Sequence, residues 1–145
     1  MRTLAFFETT SYSLLIVLYT YTGISKLSEY ERFKGSLRRS PLIDQGADII
    51  AWLLPATELV VVLLLFFGRS RKQGLYASLT LLVLFTLYLL YMVLFVADLP
   101  CSCGGVLQKM SWGQHVWFNL FFICINVLGL FALSKQEQAL HDIQY

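Results

Sequence analysis

The chain has 145 residues, enough for one domain, and its 11 basic and 9 acidic residues leave a net charge of +2. That balance provides no electrostatic footprint for nucleic acid. The apolar fraction is 57% and the mean hydropathy +0.65, above the roughly 45–50% apolar content of a soluble domain; the excess lies in long blocks, so the lipid bilayer is the expected solvent.

Spanning the hydrocarbon takes about 20 apolar residues. Blocks that meet this need cover about residues 11–28, 49–67, 75–97 and 116–133. They predict an all-α polytopic membrane protein: a bundle of four transmembrane helices forming a single domain over residues 1–145. Only Arg2 precedes the first block as a basic residue, and no small-residue cleavage site follows its apolar core. It therefore reads as a retained span rather than a signal peptide.

The first span ends in Gly23-Ile24-Ser25-Lys26-Leu27. The charged connection after it, about residues 29–48, carries Phe33, Leu37, Leu42 and Ile43 at loosely helical spacing. A short amphipathic helix along the interface fits this pattern, and so does a solvated loop.

The second span holds Trp52, Pro55 and Glu58. Steps of three are expected to bring them near one helix face. Pro55 frees a carbonyl one turn back, which neighbours or water must satisfy. By count, Glu58 lies near mid-membrane. An ionisable group there is costly and faces the bundle interior or a wet cavity, which makes Glu58 a candidate functional residue. Lys26 is the nearest candidate counter-charge. A structural Lys26–Glu58 pair is favoured over a proton relay.

Residues 68–74 form a basic link to the third span, whose Tyr76, Tyr88 and Tyr91 read as packing or interface residues. Then comes Asp98-Leu99-Pro100-Cys101-Ser102-Cys103-Gly104-Gly105-Val106. In extended chain Cys101 and Cys103 project to the same side. A disulfide between them would close a very small, strained ring, and strained, accessible disulfides tend to be catalytic or regulatory. Pro100 fixes φ on one flank, while Gly104 and Gly105 permit close approach on the other. Cys101 and Cys103 are therefore the candidate catalytic residues. His115 and Lys109 are the candidates for lowering a thiol pKa.

A metal site normally takes four ligands at characteristic spacing. Only His115 is near, so no metal is assigned. A purely structural bridge would close almost no loop and stabilise little. Redox exchange and an inert or locally structural loop remain as alternatives. Asn119 falls one helical turn past His115, on the same face. Cys124, inside an apolar block, reads as a small buried hydrophobe. The tail, residues 134–145, is short and polar.

Four spans place both termini on the side of residues 69–72, opposite the first connection and the CxC segment. Basic residues number five on the first side (Arg2, Arg69, Arg71, Lys72, Lys135) and six on the second (Lys26, Arg32, Lys34, Arg38, Arg39, Lys109). The positive-inside rule does not separate these counts. The short, acid-free 69–72 link and the oxidising compartment that disulfides need favour cytoplasmic termini and an external CxC loop.

In order along nearly the whole chain, Gly23-Ile24-Ser25-Lys26-Leu27, Pro55 with Glu58, and Cys101-Ser102-Cys103-Gly104-Gly105 followed by Trp112 and Asn119 resemble the MauE branch of the DoxX-like membrane proteins. The chain departs from that pattern at Gly104, where an aromatic residue is usual, and at Phe118, where a basic one is. The resemblance implies a four-helix protein of the bacterial inner (cytoplasmic) membrane, with the CxC loop periplasmic. It also implies a link to maturation of a disulfide-rich methylamine dehydrogenase subunit, and thioredoxin-like neighbours.

Two functions follow. The first is a membrane thiol–disulfide component that exchanges electrons through Cys101 and Cys103 with a periplasmic thioredoxin-like partner or a disulfide-containing client. Its electrons need an acceptor, for which a quinone is the natural choice, although no motif specifies one. The second is a non-enzymatic assembly or anchoring subunit with an idle or structural CxC.

Overall fold

The structure, a computed structural model, describes residues 2–96 and 111–143. Among these residues it is all-helical, with no strand. Four long helices are α1 (Arg2–Ser28), α3 (Ala47–Phe66), α4 (Arg71–Phe95) and α5 (Trp112–Ile143); a short α2 (Tyr30–Arg38) lies between the first two. Each long helix packs on two neighbours, in the ring α1–α3–α4–α5, so that α1 faces α4 across the bundle.

Helices α3, α4 and α5 are long and apolar enough to cross a membrane. With 27 residues, α1 is about 40 Å long at 1.5 Å per residue, but its hydroxyl and charged residues dilute its apolarity. The distribution of polarity suits lipid. Phe6, Val17, Val60, Leu94, Trp117 and Phe131 face outward, while Ser11, Lys26, Glu58, Ser78, His115 and Asn126 are buried. Small and polar side chains inside, apolar ones outside, is how helices associate where lipid tails are as apolar as leucine. The protein is a multi-pass membrane protein.

Helix ends differ from the hydropathy blocks. The first helix starts at Arg2, well before residue 11, and the polar tail continues as helix to Ile143. Apolarity marks only the part of a helix in contact with lipid; backbone hydrogen bonding extends beyond it. At the start of α5, Ser111 Oγ accepts from the Gln114 amide (3.3 Å) while Gln114 Oε1 accepts from the Ser111 amide (2.9 Å). This reciprocal cap satisfies two otherwise orphaned donors.

The connection after α1 is helical in part. Glu29 turns the chain (φ −112°, ψ 37°) into α2, which buries Phe33, Ser36 and Leu37. Phe33 and Leu37 pack with Ala47 and Ala51 of α3, whose small side chains let the short helix approach. Leu42 lies beyond α2 and is exposed. Ser40, fully buried, accepts from the Tyr88 hydroxyl at 3.0 Å, which ties this connection to α4. The chain then enters α3 through a single 3-10 turn, Asp44–Gly46. Thus α2 closes the end of the bundle where α1 and α4 finish and α3 and α5 begin. The opposite end is joined by another 3-10 turn, Gly68–Ser70, held by Ser70 Oγ donating to the Leu64 carbonyl at 2.9 Å.

Candidate functional site

The polar interior has two layers. In the inner layer Tyr19 donates its hydroxyl to the Ser78 carbonyl (2.9 Å). With its amide turned to suit its neighbours, Asn126 accepts from the Ser78 hydroxyl (2.7 Å) and donates to the Leu75 carbonyl (3.1 Å). This layer ties α1, α4 and α5 together, and its bonds are satisfied, as a buried polar network requires.

The second layer lies nearer the α2 end and is incomplete. Lys26, in the last turn of α1, reaches Glu58 of α3, with Nζ 2.8 Å from Oε1 and side chains only 10% and 9% exposed. The ammonium also stands 5.8 Å from the centroid of the Phe33 ring on α2, a cation–π distance. Removing two ions from water costs several kcal/mol each, and their attraction offsets this only when the remaining hydrogen-bonding positions are filled. Here they are not. Glu58 Oε2 is buried with no hydrogen-bond partner among the described residues. Thr22, whose hydroxyl makes a long 3.4 Å bond to the Tyr19 carbonyl, is the neighbouring group able to turn toward it.

Across the bundle Asn119, 4% exposed, leaves its Nδ2 equally unpartnered. His115, one turn earlier on α5 and also buried, stacks at a tilt on Phe85 of α4, with ring centroids 5.7 Å apart. Lys26, Glu58, His115 and Asn119 line one cavity of about 60 Å³ that all four long helices enclose. Its other walls include Leu18, Tyr19, Leu81, Phe85 and Phe118. Tyr21, 41% exposed, also lines it, so one wall of the cavity borders the outer surface along α1. At roughly 10–15 Å³ of such space per water centre, the cavity admits about four to six water molecules or one six-membered ring of similar bulk.

The structure thus brings Lys26, Glu58 and His115 to a common space. Cys101, Cys103 and Lys109 lie outside the described residues. The chain that carries them leaves α4 after Phe95 and enters α5 at Trp112, the bundle end at which the cavity sits. Sequence reasoning missed the vacancy of Asn119; its signal was an amide in an apolar block, one turn past a histidine.

Two expectations need correction. Trp52 does not share the Pro55–Glu58 face: it is 64% exposed while Pro55 and Glu58 are buried. Each step of three falls about 60° short of a full turn, so two steps displace a side chain by about 120°. Cys124 is not buried; it lies exposed on the outer face of α5.

Apolar outer faces, a hydroxyl-rich interior and an ion pair beside a cavity define a helical membrane protein with an intramembrane polar site. The chain belongs to the family of the methylamine utilisation protein MauE, whose model matches residues 3–132. No curated protein and no solved structure matches it.

Proposed function

We propose that this protein is a thiol–disulfide redox component of the bacterial inner membrane that supports disulfide formation or maturation of a client protein; its family is named for methylamine utilisation. Cys101 and Cys103 are its exchanging pair, and a periplasmic thioredoxin-like protein or a disulfide-containing client is its partner. One observation carries the reading. The Cys-Ser-Cys segment joins α4 to α5 at the bundle end that holds the buried Lys26–Glu58 pair, His115 and the cavity. Lys26, Glu58 and His115, from separate parts of the sequence, line one cavity there, whereas the described residues of the opposite end show close packing, hydrogen bonds and ion pairs.

In the exchange, a partner thiolate attacks one sulfur of the Cys101–Cys103 disulfide, and the other leaves as a thiolate that takes up a proton. The second partner thiol then resolves the mixed disulfide. Two electrons and two protons move from the partner to the pair. With the potentials reversed, the same steps run outward. His115 and Lys109 are the groups assigned to favour the thiolate.

Trapping tests this. With Cys101→Ser or Cys103→Ser, the remaining thiol can attack the disulfide of an oxidised partner, and no neighbouring thiol of this chain is left to release the resulting mixed disulfide. Acid quench and alkylation should reveal a reductant-sensitive complex for one of them, identifiable by mass spectrometry. Neither variant trapping a partner, together with full function in the double variant, would overturn the proposal and favour an assembly or anchoring role.

The same proposal puts the termini in the cytoplasm and the CxC loop in the periplasm. Single cysteines at positions 73 and 108 in a cysteine-free chain report this through an impermeant maleimide. Labelling at 108 alone is expected; labelling at 73 alone reverses the orientation.

A further inference from the structure

We propose that the cavity between Lys26, Glu58, His115 and Asn119 binds the head group of a membrane quinone, the electron acceptor for the thiol pair; this rests on the thiol–disulfide reading above. The cavity is built like a ligand site, with apolar and aromatic walls and few, convergent polar groups. Phe85 and Phe118 offer ring faces to a flat ring. Exposed Tyr21 marks a path to the bilayer face of the bundle, by which a lipid-soluble molecule enters without crossing water.

The unpaired atoms set the chemistry. Asn119 Nδ2 is a buried donor and Glu58 Oε2 a buried acceptor, each without a partner among the described residues. Buried polar groups left unpaired are destabilising, so a ligand that fills both relieves a standing penalty. A quinone carbonyl accepts from Asn119. After reduction the same ring carries hydroxyl groups, which donate, and Glu58 Oε2 accepts. A donor that suits the oxidised ligand and an acceptor that suits the reduced one are therefore present together. Lys26 Nζ lies 2.8 Å from Oε1, which leaves Oε2 as the oxygen that faces the ligand.

The balance is simple. Cys101 and Cys103, as two thiols, lose two electrons and two protons and form one S–S bond. The quinone gains the same two electrons and two protons and becomes the quinol.

The test uses the full-length protein in lipid nanodiscs, with a short-chain 1,4-benzoquinone as probe and intrinsic fluorescence as readout. Saturable quenching is expected. Asn119→Leu should weaken binding about tenfold, the equivalent of about 1.4 kcal/mol, and Leu81→Trp, which fills the cavity from α4, should abolish it. Photolabelling of the unmodified protein with an azido-benzoquinone gives a second readout that needs no folded variant. The adduct should fall within residues 18–26 or 115–119. Absence of saturable binding, unchanged binding in both cavity variants, or an adduct confined elsewhere would overturn the site. The Cys101→Ser/Cys103→Ser double variant should bind the probe as the parent does. Binding without any trapped mixed disulfide would mean that the site stands and the thiol reading fails. A trapped partner without quinone binding would mean the reverse.

Discussion

The two ends of the bundle are built on opposite principles. At the Gly68–Ser70 end the helices are pressed together. A Cβ added at Gly74 would lie 2.9 Å from the Leu65 amide nitrogen, and one at Gly129 would lie 2.8 Å from the Ser11 Cβ. Charges there are paired at the margin: Arg71 reaches Glu8 at 2.8 Å and stacks 3.9 Å from the Tyr12 ring, although its Nε is left unbonded among the described residues, and Lys72 pairs with Glu137. At the α2 end the helices part around a cavity, and the ion pair beside it leaves an oxygen unbonded. Small residues that bring backbones together give membrane bundles their stability through packing. A bundle held firmly at one end can part around a polar cavity at the other.

The strongest test of this contrast is the Lys26–Glu58 pair. Removing one partner of a buried pair strands the other, at about 3–5 kcal/mol. Lys26 stands two residues from the end of α1 and can extend toward the interface when Glu58 is neutralised. Glu58 is held well inside α3 and has no such escape. Lys26→Met should therefore cost more than Glu58→Gln in unfolding experiments in detergent, and the double variant should recover part of the loss. Simple additivity of the two changes would show that the pair does not couple.

Next in size is Gly74→Ala. The atoms it would meet are the backbone of α3, at 2.9 and 3.0 Å, and backbone cannot swing aside as a side-chain tip can. Overpacking of this kind costs about 1–3 kcal/mol. The loss should appear as a lower midpoint of thermal unfolding, with quinone-probe binding at the far end unchanged. A stable Gly74→Ala protein would remove the claim that this end clamps the bundle.

Smaller again is Glu8→Gln. Glu8 is itself buried but its partner Arg71 is partly exposed, so solvent reaches the pair from one side, and a contribution near the upper end for solvent-accessible ion pairs, about 1 kcal/mol, is expected. A loss near that limit, shrinking as salt is raised, is expected. A loss as large as that of Lys26→Met would erase the distinction between the margin pair and the cavity pair.

Much of this architecture is written in the amino-acid order. Long apolar blocks announce the bilayer because nothing else offers them a solvent, and a carboxylate within such a block, Glu58, is conspicuous because it is costly there. The spacing of Phe33 and Leu37 carries the amphipathic signal of α2, although Leu42 and Ile43, in the same stretch, fall beyond the helix. What the order does not carry is which atoms go unpartnered. Asn119 and Asn126 are both amides on α5 and both buried. Only the meeting of α5 with Ser78 and Leu75 completes the bonds of one, while the parting of the helices at the α2 end leaves the other open. The outward position of Cys124 escapes sequence reading for a related reason: in a chain that is apolar all round, hydrophobicity does not tell lipid from core.

The smallest effect belongs to Trp52, and it separates the two faces of α3. Residue spacing alone groups Trp52 with Pro55 and Glu58, but the helix turns it outward. An aromatic side chain on the lipid face loses lipid contact when shortened but leaves no cavity in the bundle. Substitutions away from buried features usually stay within about 0.5 kcal/mol, so Trp52→Ala should leave the unfolding midpoint in detergent nearly unchanged and quinone-probe affinity intact. A loss of the size that follows cutting back a buried aromatic, about 3–5 kcal/mol, would mean that Trp52 is covered by another protein surface in the membrane. The same measurement on Leu54→Ala supplies the internal standard. Leu54 is one turn from Glu58 on the cavity wall, and its removal should enlarge the space and alter probe binding where Trp52→Ala does not.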